Sequence, residues 1–252
     1  MKKQTVLLTG GGAGIGEGIA QVLSERGWHV LVNDINPDAA NKVAKEVNGT
    51  AVPGDIGKDP KRLIEQSVEA AGTLQGLVNN AGIIRRSHMA ETSPAEMDEV
   101  YTVNLRSMIQ LSQAALPHLA QSGGAIVNIS SIAADTPQVG GGFYSMSKAG
   151  VSAFTRQAAA EWGPQGVRVN AIAPGLIRTA MAEAVYSVPD LYERRCMMIP
   201  LRRIGTPADI GTVVAFLLSA DAAYVSGQII AVDGAFTQTL IGLLPHPATP
   251  KA

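Results

Sequence analysis

The sequence predicts an α/β fold, a doubly wound parallel sheet of seven strands with helices on both faces. Three observations lead there. Short apolar runs alternate along the chain with longer segments of helical periodicity. The first run, residues 4–9 (QTVLLT), is aliphatic and β-branched with no polar alternation, as in a strand covered on both faces. The strand–helix–strand rhythm implies parallel neighbours joined by right-handed crossovers.

Strands are expected at 4–9, 28–33 (WHVLVN), 50–53, 76–79, 125–130 (AIVNIS), 167–172 (VRVNAI) and 228–232 (QIIAV). Helices are expected at 14–26, 38–47, 60–71, 94–120, 144–162 and 207–219. Two helix starts carry their own capping chemistry. Ser93-Pro94-Ala95-Glu96 offers a hydroxyl cap, a proline whose missing N–H costs nothing at the first position, and a carboxylate at the third. Thr206-Pro207-Ala208-Asp209 repeats the design with aspartate. Residues 1–252 read as one domain, since no Pro/Ser-rich linker divides them. Residues 176–203 mix apolar and charged side chains around Pro189 and Pro200 and are expected to form a substrate lid. A C-terminal tail is expected at 239–252. It opens with the apolar cluster Thr239–Leu244, which needs cover from a neighbouring subunit or the pocket rim, and it closes on PHPATPKA.

Composition narrows the function. The 252 residues carry 20 Lys plus Arg against 21 Asp plus Glu, a net charge of −1 that leaves no footprint for nucleic acid. A hydrophobic fraction of 46% fills a sizeable core and excludes global disorder. The single cysteine, Cys196, excludes an intrachain disulfide and a cysteine-based zinc cluster. His29, His88, His118 and His246 show no metal-ligand spacing, so no metal is expected. No run of about 18 uncharged apolar residues predicts a membrane span, and the expected location is the cytoplasm.

The first strand runs into Thr9-Gly10-Gly11-Gly12-Ala13-Gly14-Ile15-Gly16. Glycines at 10, 14 and 16 let the backbone approach a diphosphate, and the next helix offers free N–H groups at its positive end. Asp34 ends the second strand, 18 residues after Gly16, where a carboxylate accepts hydrogen bonds from both ribose hydroxyls of an adenosine. Farther along, Tyr144 and Lys148 stand four apart on one helix face. A free tyrosine titrates near 10, and a nearby ammonium favours its anion, which makes Tyr144 a candidate general acid/base. Ser131, 13 residues earlier, offers a hydroxyl to the same substrate oxygen. Ser130 points to the other face by strand alternation.

Together these motifs resemble the short-chain dehydrogenase/reductase family from about Lys3 to Ala235. The resemblance rests on the glycine turn, Asp55, Asn79-Asn80-Ala81-Gly82, Asn104, Ser130-Ser131, Tyr144-Ser145-Met146-Ser147-Lys148, Pro174-Gly175 and Val232-Asp233-Gly234. It implies a Rossmann-type fold and a catalytic set of Asn104, Ser131, Tyr144 and Lys148. Cofactor contacts are implied for Gly10, Gly14, Ile15, Gly16, Asp34, Asp55, Ile56, Asn80, Ala81, Tyr144, Lys148, Pro174, Gly175, Ile177 and Thr179. Two positions depart from the pattern: Ala134 follows the Ser-Ser pair where glycine is common, and Ala235 replaces the second glycine of an Asp-Gly-Gly ending.

The implied function is hydride transfer between NAD(H) and a secondary alcohol or ketone, with sugars, polyols and hydroxy acids among the polar substrates. The alternatives are a 3-oxoacyl thioester (carrier-protein) ketoreductase and a nicotinamide-binding regulatory or scaffold protein without catalysis. Asp34 would repel the 2′-phosphate of NADP, and Ala13 and Ile35 provide no compensating base, so NAD is expected. Arg85, Arg86 and Gln138 are candidates to meet polar substrate groups, and Met181, Val185, Tyr186, Met197 and Met198 of the lid suit an apolar one. Helices 94–120 and 144–162 carry apolar residues beyond one stripe (Leu105, Met108, Ile109, Leu111; Val151, Phe154, Ala158–Ala160). The family pairs such helices across a twofold axis, so a homotetramer is expected.

Overall fold

Period-two alternation in a strand buried on both sides sends consecutive aliphatic side chains into two separate cores. The computed structural model, which describes residues 3–179 and 187–239, shows this in β1 (Thr5–Leu8). Val6 and Leu8 enter one core, and Leu7 enters the other. β2 (His29–Val32) repeats the split with Val30 and Val32 against Leu31. The remaining strands are β3 (Thr50–Ala51), β4 (Gly76–Asn79), β5 (Ala125–Ile129), β6 (Arg168–Pro174) and β7 (Ile229–Val232). All pairings are parallel, in the order β3-β2-β1-β4-β5-β6-β7. The seven-stranded doubly wound sheet is therefore as expected.

Helices α1 (Gly14–Glu25), α2 (Pro37–Glu46) and α8 (Pro207–Leu218) cover the first core. Helices α3 (Pro60–Ala71), α5 (Ser107–Ser122) and α6 (Tyr144–Trp162) cover the second. Both expected capping boxes form, Ser93 with Glu96 ahead of α4 (Pro94–Tyr101) and Thr206 with Asp209 ahead of α8. Arg203 adds two bonds of 2.7 and 2.8 Å to Asp209, whose carboxyl is held well below its ordinary range by that guanidinium.

Three features depart from the sequence reading. The helix expected at 94–120 is interrupted by a π-helical turn, Thr102–Arg106, between α4 and α5. The extra residue turns Asn104 inward, 2% exposed, onto the backbone of Ile83. Within the expected lid, α7 (Pro189–Met198) is helical, and Ile199 and Ile204 form a small core with Leu176, Tyr192, Cys196 and Phe236. That core ties the lid span to the chain beyond β7. Met181, Val185, Tyr186 and the tail after Thr239 lie outside the described residues. Finally, Met108, Leu111, Val151 and Ala158 are buried within the protomer. Of the expected second apolar face, Leu105, Ile109, Phe154 and Ala159 stay half-buried and Ala160 is exposed.

α1 and α8 meet through glycines. A Cβ at Gly18 would lie 2.2 Å from Cβ of Pro207, and one at Gly211 would lie 2.9 Å from a methyl of Val22. An alanine in an open helix interior gains up to about 1 kcal/mol over glycine. Here the clash decides the sign, because overpacking costs about 1–3 kcal/mol. Gly18→Ala is expected to lower the urea midpoint, with a net loss of about 1–2 kcal/mol read from the denaturation curve.

Candidate active site

The glycine turn follows β1 and is locked to the end of β4. Thr9 Oγ1 accepts from the backbone N–H groups of Asn80 (3.1 Å) and Ala81 (3.2 Å). Asn80 Nδ2 donates back to the carbonyls of Thr9 (3.0 Å) and Gly10 (2.8 Å). The approach leaves no room for side chains: a Cβ at Gly16 would fall 2.0 Å from the Gly10 carbonyl oxygen. Gly10 and Gly14 adopt φ of +61° and +59°, the left-handed region that favours glycine. Thr9 was not among the expected contacts. Its place at the last strand position before the glycines was the available signal.

Asp34 closes β2 against this turn. Its Oδ2 accepts from Gly12 N–H at 3.0 Å and its Oδ1 from Asn36 N–H at 3.0 Å. A carboxylate has about four lone-pair sites, so acceptor capacity remains for a diol. Gly54 N–H donates to the Asp34 carbonyl at 3.0 Å and brings the end of β3 alongside. There Asp55 turns its carboxylate to Gly57 N–H at 2.8 Å, while Ile56 is buried in the core beneath. On the far side, Pro174 ends β6 beside Val232, and Gly175 N–H donates to the Val232 carbonyl at 3.0 Å. Ile177 is buried in the first core, and Ile15 packs against that core. Thr179 returns to the glycine turn, its Cβ 3.6 Å from where a Cβ of Gly14 would stand.

The second cluster forms where β5 meets α6. Ser131 caps the short 3-10 turn Ile132–Ala134, accepting from Ala133 N–H at 3.1 Å, and its hydroxyl acts on the Tyr144 phenol. Tyr144 opens α6, and Lys148 follows one turn later with its Nζ 5.7 Å from the phenol ring centroid. Lys148 is 4% exposed, and its ammonium donates to the Ile129 carbonyl at 2.8 Å. Asn104 completes the group. Its Oδ1 accepts from Ile83 N–H at 2.8 Å, and its Nδ2 donates to the Ile83 carbonyl (2.9 Å) and Ser147 Oγ (3.0 Å). Burial pushes the Tyr144 phenol above its ordinary value, and the Ser131 hydrogen bond pulls the other way. The phenol is thus raised, not lowered as expected from its neighbour Lys148, because burial dominates. Burial also brings Lys148 down to about 8.

The rim is sorted by its ion pairs. Arg85 grips Glu99 of α4 through Nε (2.8 Å) and Nη2 (2.6 Å), which commits it to holding the loop after β4. Arg86 and Gln138 are exposed. The 83–87 segment meets the loop ahead of α6 through the Ser87–Gly141 bridge.

The chain's similarity to known proteins agrees with this geometry. A family model described as enoyl-(acyl carrier protein) reductase matches residues 10–237. The chain is 38% identical over 240 residues to the 3-oxoacyl-(acyl-carrier-protein) reductase FabG of Staphylococcus aureus, covering 92% of this chain and 97% of the relative. It is 36% identical to the versicolorin reductase stcU of Emericella nidulans, over 92% of this chain and 94% of that one. A solved short-chain type dehydrogenase/reductase from Mycobacterium ulcerans superposes with a TM-score of 0.89 at 31% identity, covering 94% of this chain and 92% of that one.

The chain belongs to the short-chain dehydrogenase/reductase family. It is an oxidoreductase of that family, which acts on CH–OH or keto groups with a nicotinamide cofactor. The residues present fit such a dinucleotide. Helices α2, α3, α4 and α8 each have a side-chain N-cap, whereas α1, like α5, α6 and α7, has none, its N-cap residue being Ala13 beside the glycine turn. Its first N–H groups therefore remain available, at the positive end of the dipole, behind a backbone cleared by glycines.

Lys148 gives this site a measurable signature. Its amine titrates near 8 in the fold, below the ordinary 10.5 of the unfolded chain. The unfolded state then binds more protons between those values, so stability rises with pH across them. Below about pH 8 the buried ammonium costs on the order of 3 kcal/mol, and the cost fades as pH rises through 10.5. Relative to Lys148→Met, the parent's melting temperature should accordingly rise between pH 8 and 10.5. A pH-independent difference between the two melting curves would contradict the assignment.

Proposed function

We propose that the chain is a single-domain, NAD(H)-dependent dehydrogenase/reductase of a secondary alcohol or ketone, with Asn104, Ser131, Tyr144 and Lys148 as its catalytic set. The observation that carries the cofactor choice is the Asp34 carboxylate. It is bonded to Gly12 N–H at 3.0 Å beside the diphosphate turn, and Ala13 and exposed Ile35 place no cation next to it. A 2′-phosphate there meets a like charge a few ångströms away where water screens poorly. Gly10, Gly14, Ile15 and Gly16 would hold the diphosphate, Asp34 the adenosine ribose, and Asp55 and Ile56 the adenine side. Asn80 and Ala81 would line the adenosine ribose, and Pro174, Gly175, Ile177 and Thr179 the nicotinamide. When bound, the nicotinamide supplies or accepts the hydride.

The chain's own residues handle the proton. The Tyr144 phenol, protonated at neutral pH and kept so by burial, donates to a carbonyl oxygen during reduction. Ser131, whose hydroxyl acts on the Tyr144 phenol, holds the same oxygen and steadies its developing charge. Lys148 and Asn104 anchor the phenol's surroundings and extend the proton path away from it. The scaffold-only reading does not explain why these groups are assembled at such desolvation cost. Residues 176–203 form the substrate lid, hinged on the small core around Ile199 and Ile204. Exposed Arg86 and Gln138 at the rim favour a polar substrate such as a sugar, polyol or hydroxy acid. A 3-oxoacyl thioester is the second reading, favoured by the names of the FabG relatives. Homotetramer formation, with half-buried Leu105, Ile109 and Phe154 at the contact, and a cytoplasmic location belong to the same proposal.

A panel of polyols, sugar acids, hydroxy acids, cyclic alcohols and a 3-oxoacyl thioester, each run with both cofactors, tests this reading. The expected result is a higher kcat/KM with NADH or NAD than with the phosphorylated forms. A preference for NADPH, with turnover confined to the thioester, would give the second reading the field. Tyr144→Phe should cut kcat by about 10²–10⁴ while NADH binding, followed by fluorescence, stays within a factor of a few.

A further inference from the structure

We propose that Ser130, the neighbour of Ser131, is a positioning residue that sets Lys148 in register with the end of β5. The proposal rests on Tyr144 and Lys148 being the proton-handling pair. Ser130 is 2% exposed and reaches into the seam between β5 and α6. Its Oγ donates to the backbone carbonyl of Lys148 at 3.0 Å and lies 3.0 Å from Ser152 Oγ. Lys148 is thus held at both ends by consecutive residues of one strand: its ammonium by the Ile129 carbonyl at 2.8 Å, its main chain by Ser130. The next residue, Ser131, acts on the Tyr144 phenol. Two successive residues therefore fix the lysine's head and its backbone, and the third adjoins the tyrosine.

Proton counting assigns the direction of these bonds. Each serine hydroxyl has one proton. Ser152 Oγ lies 3.3 Å from the Lys148 carbonyl, farther than Ser130 Oγ. Two protons make two of the three contacts, and the two shorter ones are made when Ser152 donates to Ser130 and Ser130 donates to the carbonyl, a chain in which each bond polarises the next. The Lys148 carbonyl, within α6, also accepts a helical N–H four residues on. Loss of the Ser130 hydroxyl therefore strands no buried carbonyl, since Ser152 remains within reach. The fold loses little, and what disappears is the tie between strand and helix. Ser152 is the internal control, because it is equally buried but bridges only its own helix and Ser130.

The test compares Ser130→Ala, Ser130→Thr and Ser152→Ala in the full chain, with the best substrate from the panel. Ser130→Ala should lower kcat roughly tenfold, within the ~10² that a misplacement of about an ångström costs. Its KM and NADH affinity should stay near the parent's. Ser152→Ala should keep kcat within about a factor of two, and Ser130→Thr, which retains a hydroxyl, should recover most of the loss. Equal losses in the two alanine variants, or a Ser130→Ala enzyme as fast as the parent, would overturn the proposal. A parent inert on the whole panel would count against the Tyr144–Lys148 reading instead. The titration of Lys148, read from the rise in melting temperature between pH 8 and 10.5 relative to the matching Lys148→Met variant, then decides the Ser130 role alone. That amine is faced by the Ile129 carbonyl from β5 and, among the described residues, by one titratable group, the Tyr144 phenol of α6. Ser130→Ala should move the start of the rise upward by about half a pH unit, because a lysine released from the strand regains solvation, while Ser152→Ala leaves it in place. A start unmoved by Ser130→Ala refutes the role.

Discussion

Parallel strand direction is the constraint on which this molecule depends. With seven strands running the same way, their carboxyl ends share one edge of the sheet. The glycine turn follows β1, Asp34 follows β2, Asp55 follows β3, Asn80 follows β4, Ser131 follows β5 and Gly175 follows β6. Residues scattered over more than half the chain are neighbours because each is the next link after a strand. The strand order reverses between β1 and β4, and there the outgoing chains diverge and leave a crevice. Thr9 and Asn80 bridge the base of that crevice with four hydrogen bonds, so its floor cannot widen without exposing buried backbone groups.

Beneath the Ser131, Tyr144 and Lys148 cluster the protein spends stability on polarity. Asn79 of β4 donates to Asn128 of β5 at 2.8 Å and to Ser112 of α5 at 3.0 Å, and Asn128 donates to Thr155 of α6 at 2.9 Å. The chain of bonds crosses from α5 through two central strands to α6, all of it buried. Among the described residues, Asn79 Oδ1 is the one buried side-chain polar atom without a partner. An apolar core here would be cheaper, but apolar contacts slide, whereas directional bonds fix the register of helices that carry Asn104, Tyr144 and Lys148. The depressed lysine belongs to the same logic: a charge is kept out of water because a mobile, solvated one would hold nothing in place.

The readable parts of the sequence were those governed by local rules. Both capping boxes, the apolar strands and the glycine turn depend on residues within one turn or one strand of each other, and each is where its pattern put it. The unread parts depend on distant partners. Nothing local announces that Thr102–Arg106 winds as a π turn, because the partner Asn104 meets there, the backbone of Ile83, lies some twenty positions away. Arg85 and Arg86 are identical in sequence terms, and Glu99 on α4 separates their roles. Ala235 shows the same limit in reverse. It stands where the family pattern has glycine, yet keeps a left-handed φ of +68°, held by Asp233 accepting its N–H at 2.9 Å.

By itself, then, the sequence determined the sheet, its direction, the glycine turn, the acidic residue after β2 and the spacing of Ser131, Tyr144 and Lys148. Those features follow from periodicity and short-range stereochemistry, which any chain with these residues must obey. Tertiary structure alone decided the balance of forces on the site. Burial raises the Tyr144 phenol and lowers Lys148 to about 8, and packing gives Ser130 the Lys148 carbonyl as its partner. Desolvation and long-range hydrogen bonds depend on what packs around a group in space. No window of sequence contains that information.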